Sequence, residues 1–373
     1  MSKQIQNQYF PDDVTPPGEM LQDTLGALGM SQAELAARMG RPKKTINELI
    51  LGKAAITPET AIQLEQVLGV PASFWNNGER RYRDFLARTE AARRLASQTA
   101  WLDEVPALEM VKRGWIQRGK DKVGQLVEVL SFFGVSSPEQ WKTLYSDASP
   151  AFRKSPRFEG SPGAVSAWLR RGETKAQQIE SAPYDAKKFR EVLKRARVLT
   201  KQPVEAALEE LVGLCASAGV ALVVVPELPG VTACGAAEWL SPTKALIILS
   251  WRYKSDDQFW FTFFHEAGHI LLHGKRDVYI DARVAGEQEQ PSDIEVEADQ
   301  FASTTLIPQT EWERLLTMDY RDADVIQEFA NQLDIAPGIV VGKLQHNERL
   351  PYDRLNTFKR SYRQFSKLEI PAG

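Results

Sequence analysis

The chain has 373 residues, long enough to bury two or three hydrophobic cores, so more than one domain is expected. Two cysteines, Cys215 and Cys234, exclude a disulfide framework and a cysteine-built zinc site, and they fit a reducing cytosol. The polar opening lacks the basic-then-apolar pattern of a signal peptide, no apolar run nears the roughly 20 residues of a membrane span, and the expectation is a cytoplasmic globular protein.

Residues 1–15 read as a flexible tail. Pro17 suits the first turn of a helix that runs to Gly29. Ser31 can cap a second helix, Gln32–Met39, with Glu34 at the matching position of a capping box. Gly40 breaks that helix and Pro42 can start a third, to about Leu51. Two short helices around a glycine turn form a helix-turn-helix, whose second helix enters the major groove of double-stranded DNA. Leu35, Ala36, Ile46 and Ile50 make the packed face. Lys43, Lys44, Thr45 and Asn47 face the groove, while Gln32, Arg41 and Lys53 suit phosphates or flanking bases. Residues 31–53 hold five basic side chains against two acidic ones, which favours DNA over an ordinary helical bundle. Thr57 then caps Pro58–Leu68, which closes the bundle.

A long helix through Arg80, Arg81 and Arg83 to Ala96 offers these side chains to DNA or to a dimer partner. From Pro106 to Leu199 the apolar spacing is helical throughout, with turns at Gly134 and at 155–163. The net charge of −3 hides an asymmetry. Thirteen lysines and arginines face five acids between 151 and 203, whereas eighteen acids face seven bases between 205 and 318. The basic helix Asp185–Leu199 has two readings: a second nucleic-acid contact through 185–201, or a face packed on the acidic C-terminal region.

A helix at 204–218 precedes strand candidates at 220–225, 233–239 and 245–249, the last two pairing as a hairpin. The fold class is therefore mainly α with a small β-sheet, α+β. A helix over 255–273 follows, carrying His265-Glu266-Ala-Gly-His269. Residues four apart share a helical face, so both histidines reach one metal ion, and Glu266 lies about 100° around the helix, placed to deprotonate a water. A zinc hydrolase needs a third protein ligand. On a helix over 293–305, Glu295 and Asp299 share one face: Glu295 is the candidate ligand, Asp299 a hydrogen-bond partner to a ligating histidine, and Glu297 the fallback. His273 extends the histidine stripe but drifts about 40° per step, making it a helix-end residue or a polar group near the cleft. Arg252, Tyr253 and His273 are the candidate oxyanion donors. Helices at 309–316, 322–333 and 337–346 complete the region, and a sheet edge along the cleft suits a substrate added as a strand.

Residues 16–86 resemble the Xre/Cro-type helix-turn-helix of HigA-like antitoxins in Pro-Gly-Glu-Met-Leu (17–21), Ser-Gln-Ala-Glu-Leu-Ala (31–36), Ile-Thr-Pro-Glu-Thr-Ala (56–61) and Phe-Trp (74–75). Residues 220–345 resemble an ImmA/IrrE-type metallopeptidase domain in 259–269, Glu-Val-Glu-Ala-Asp-Gln-Phe-Ala (295–302) and Leu-Ile-Pro (306–308). That resemblance implies a zincin-like fold with Zn2+ completed by the first glutamate of the second motif, which favours Glu295 over Glu297. It also implies a regulatory protease, often one that cleaves a repressor. The expected organisation is a DNA-binding domain over 16–76, a helical middle over 77–200, a peptidase domain over 204–348 and an extension over 349–373. The expected partners are a DNA operator, a protein substrate or a cognate toxin, and a second copy of the chain as a homodimer. The alternatives are a HigA-like autorepressor whose peptidase-like domain serves as a sensor or partner-binding module, and self-cleavage at a loop in 150–185.

Overall fold

The computed structural model describes residues 14–145, 161–274, 278–281 and 292–371. Most of the expected tail, and the 150–160 part of the loop considered for cleavage, lie outside the described residues. The chain divides into two compact units, Met1–Gln98 and Thr99–Gly373.

The first unit is helical: α1 Pro17–Ala27, α2 Gln32–Met39, α3 Lys43–Ile50, α4 Pro58–Leu68 and α5 Ala72–Ala96. The Ser31 hydroxyl accepts the Glu34 amide at 3.1 Å, as a cap should. Glu34 does not return the bond, because its carboxylate takes Arg38 at 2.6 Å one turn on. Gly40 adopts φ 63° and ends α2. Two boundaries shift from expectation. α1 stops at Ala27, where the Leu28 amide already closes back on the Thr24 and Gly26 carbonyls. Pro42 stands outside α3 as its extended N-cap, with ψ 141°. Leu21, Leu25, Leu35, Ile46, Ile50, Leu64 and Trp75 fill the core. A Cβ on Gly18 would come within 2.2 Å of the Ile50 carbonyl oxygen, so only glycine lets α1 pass this close to α3.

In the second unit, short helices α6 Ala107–Lys112, α7 Lys122–Phe133 and α8 Pro138–Tyr145 precede α9 Pro162–Gln178, α10 Ala186–Leu199 and α11 Val204–Ser217. A four-stranded sheet follows, from β1 Val220–Val224, β2 Gly235–Ser241, β3 Lys244–Leu249 and β4 Tyr279–Asp281. Its order is β1-β3-β2-β4, with β1 parallel to β3 and the other pairs antiparallel. The expected β2–β3 hairpin is present. The strand β4 was not expected, since three residues offer no alternation long enough to read.

Side chains alternate across the sheet. Leu222, Val224, Ala237, Ile247 and Leu249 enter the main core, shared with α11 and α12 (Asp256–Leu272) and with α15 (Ala323–Leu333) and α16 (Pro337–His346). α13 Asp293–Leu306 and α14 Gln309–Leu316 complete this side. The opposite face packs against α9: a Cβ on Gly172 would meet the Ile248 side chain at 2.3 Å, and the Trp168 indole donates to the Val225 carbonyl at 2.8 Å. Part of the helical middle thus roofs the sheet.

The C-terminal segment is also built in. Ile370 bridges Val224, and Glu369 accepts from Trp115 at 2.7 Å and Arg171 at 2.7 Å, with Lys175 at 3.1 Å. Arg360 donates to the carbonyls of Thr200, Lys201 and Gln202 at the end of α10. Several basic groups of 185–201 are engaged here: Arg195 bonds Glu210 and Lys201 bonds Asp334, each at 2.7 Å. Among the described residues, no helix is long and apolar enough to cross a membrane.

Candidate metal centre and nucleic-acid interface

Helix α12 runs deep between the sheet and α13, so His265, Glu266 and His269 are at most 1% exposed. Two glycines allow this depth. A Cβ on Gly268 would meet Phe301 at 3.2 Å and the Ala298 Cα at 3.3 Å, where α13 crosses. A Cβ on Gly235 would lie 2.5 Å from the Glu266 Oε1, so the first residue of β2 leaves room for that carboxylate.

The helical spacing brings His265 and His269 together as expected, with their Nε2 atoms 3.0 Å apart. Glu295, from the first turn of α13, places its carboxylate oxygens 3.3 Å from the His265 Nε2 and 3.6 Å from the His269 Nε2. Asp299 accepts from the His265 Nδ1 at 2.9 Å, the partner role read for it. Burial opposes charge on His265, but the bonds to Asp299 and Glu295 prevail and raise its pKa to about 10. Burial, and then the charges of His265 and His273, lower His269 to about 2.

Three donor groups therefore aim at one point while competing for a single proton, and a divalent cation satisfies all three. Their 3.0–3.6 Å separations bracket the roughly 3.4 Å expected between ligands about 2.1 Å from a tetrahedral zinc ion. The residues fit the metal.

Other candidates fall elsewhere. Glu297 is mostly exposed and lies 3.1 Å from the His273 Nε2, outside the ligand cluster. His273 ends α12, and its Nδ1 is 2.9 Å from the Nδ1 of His269, so both ring nitrogens are engaged and neither is left to bind an oxyanion. Arg252 and Tyr253 line a small pocket with Cys234, Gln258 and Thr262 that includes none of the three candidate ligands. Sequence reading missed two residues of β4. The Tyr279 ring stacks on His269 with centroids 4.4 Å apart, and Asp281 brings a buried carboxylate within 4.8 Å of donor atoms of His265 and Glu266. No pattern around 279–281 announces either.

In the first unit, Lys43, Lys44, Asn47 and Lys53 are exposed, and Gln32 and Thr45 are half-buried. Arg41 is committed differently: its Nε donates to the Gln63 side chain at 2.6 Å, tying the turn to α4.

A buried His-Glu-His cluster in an α+β unit, in a chain whose other unit has five helices among its described residues and a basic second helix of its turn, defines a metallopeptidase-like fold joined to a helix-turn-helix. Comparison with known proteins gives the same two parts. Residues 21–75 match the helix-turn-helix family model, and residues 233–338 match that of the IrrE N-terminal-like domain. The chain carries an Xre-like helix-turn-helix domain followed by an IrrE-like domain of a peptidase family. It is 41% identical over 61 residues to an uncharacterized HTH-type transcriptional regulator, YddM, of Escherichia coli (strain K12). That stretch is 16% of this chain and spans 65% of the relative. A solved HigA-family addiction module antidote protein from Coxiella burnetii is 28% identical, covering 22% of this chain and 91% of that one, with a TM-score of 0.21.

Proposed function

We propose that the protein is a cytoplasmic, DNA-binding transcription regulator, acting as a homodimer on a DNA operator, whose IrrE-like domain is a zinc endopeptidase that cleaves a regulatory protein. The convergence of His265, His269 and Glu295 beside the buried Glu266 carries this reading. His265, His269 and Glu295 would hold the zinc, and Asp299 keeps the His265 ring oriented. Zinc, when bound, supplies the Lewis acid that polarises the scissile carbonyl and acidifies water. Glu266 takes the proton of the attacking water and passes it to the leaving amine. Strand β4, at the edge of the sheet beside the site, offers backbone groups to an extended substrate.

The test compares new protein N-termini in cells carrying native protein or Glu266→Gln, with and without DNA damage. Fragments that appear only with native protein are expected, and they name the substrate. Equal cleavage by the variant sinks the proposed role of Glu266. Native protein that holds zinc yet yields no fragment under any inducing condition makes the domain a sensor or toxin-binding module instead.

A further inference from the structure

Behind the second histidine of the metal cluster lies a chain of two groups, His273 and Glu297, that the mechanism does not use. His269 Nδ1 is 2.9 Å from His273 Nδ1, and His273 Nε2 is 3.1 Å from a Glu297 oxygen. The His273 side chain is 6% exposed and Glu297 63%, so the chain runs from the buried cluster to the surface. The Tyr279 ring, stacked on His269 at an interplanar angle of 7°, limits rotation of that imidazole.

A carboxylate only accepts hydrogen bonds, so the ring proton of neutral His273 belongs on Nε2, facing Glu297. Its Nδ1 is then an acceptor. The bond to His269 therefore needs the His269 proton on Nδ1, which leaves the Nε2 lone pair directed at His265 Nε2 and Glu295. We infer that Glu297 and His273 are positioning residues that fix the tautomer of His269, as Asp299 fixes that of His265. Two carboxylates two residues apart on α13 thus orient the two histidines of α12, one directly and one through a relay. The inference rests on the metal-centre reading above.

The test uses the full chain in four further forms: His273→Phe, Glu297→Ala, Glu297→Gln and the double variant His273→Phe with Glu297→Ala. Zinc affinity is measured by competition with a chromophoric chelator. Ring tautomers are read by long-range 1H–15N NMR on histidine-labelled protein before zinc is added, four histidines giving a resolvable spectrum. In native protein, His269 is expected to carry its proton on Nδ1. His273→Phe and Glu297→Ala should each weaken zinc binding by about 10- to 100-fold, and the double variant by no more than the stronger single one. Glu297→Gln keeps an acceptor for the same bond and should stay within about threefold of native. Because Glu297 is exposed, its variants remain informative if His273→Phe fails to fold. A His269 proton on Nε2 in native protein overturns the relay, as does unchanged zinc affinity in Glu297→Ala. Native protein that binds no zinc refutes the metal centre itself, while the tautomer measurement still decides the relay.

Discussion

Gly235 shows how narrowly Glu266, the proposed general base, is placed. Any side chain there displaces the Glu266 carboxylate or the strand that carries the glycine. Gly235→Ala should therefore lower stability by about 1–3 kcal/mol in thermal or denaturant melts and abolish cleavage, and a variant that still cleaves at native rate would contradict the placement. Glu238, three residues along β2, makes a separate pH prediction. Burial, followed by repulsion from Glu173 and opposed by Arg170, raises its pKa from 4.5 to about 8, and its Oε1 has no hydrogen-bond partner. The folded state prefers the protonated acid, so this contribution is fully present below pH 4.5 and is lost as pH rises through 8. Glu238→Gln should melt higher than native protein at pH 9 and close to it at pH 5. Equal shifts at both pH values would refute the assignment. At this scale the sequence was legible wherever chemistry and helical period coincide, as at His265, Glu266, His269, Glu295 and Asp299. It was silent on Tyr279 and Asp281, which reach the site from a three-residue strand. His273 was legible as a helix-end residue, but its bond to Glu297 of α13 was not.

Among the elements, α3 depends on Gly18 for its seat and on its exposed face for any contact with DNA. Gly18→Ala should cost about 1–3 kcal/mol of stability in the first unit, because the obstacle is backbone that cannot rotate away. A native melting temperature for that variant would contradict the close packing. Lys53→Ala, just beyond α3, should weaken operator binding across sequences and lower the salt-dependence slope by about 1. Asn47→Ala should instead relax preference at one base position. A titration of affinity against salt separates the two, and an unchanged slope for Lys53→Ala removes it from the phosphate contacts. Capping residues made these helices readable, since Ser31 and Thr57 both cap as their positions suggest. Arg41 was not readable, because a basic residue at a helix turn looks the same whether it meets a phosphate or the side chain of Gln63. The helical nature of α9 was evident, but its place over the sheet was not: Ala164, Val165, Trp168, Leu169 and Ala176 show an apolar face without showing what it covers.

Across the whole molecule, the second unit is closed by residues far apart in the chain. Glu369 joins Trp115, Arg171 and Lys175, and the Lys175 side chain is 7% exposed. Glu369→Ala leaves that lysine buried without its carboxylate, which should cost about 3 kcal/mol in the second unit's melt. A loss below about 0.5 kcal/mol would mean that the tail rests on this site without holding it. Composition and charge give no hint of such closure, because it depends on which distant segments meet. The same closure imposes an order on biosynthesis. The helix-turn-helix unit is complete once residue 98 has left the ribosome, whereas the sheet gains its bridge to Val224 only after residue 370 is made. At translation rates of about 5–20 residues per second, those two moments are roughly a quarter of a minute to a minute apart. Each newly made copy therefore passes through a stage in which its helical reader is finished and its second half is still a nascent chain.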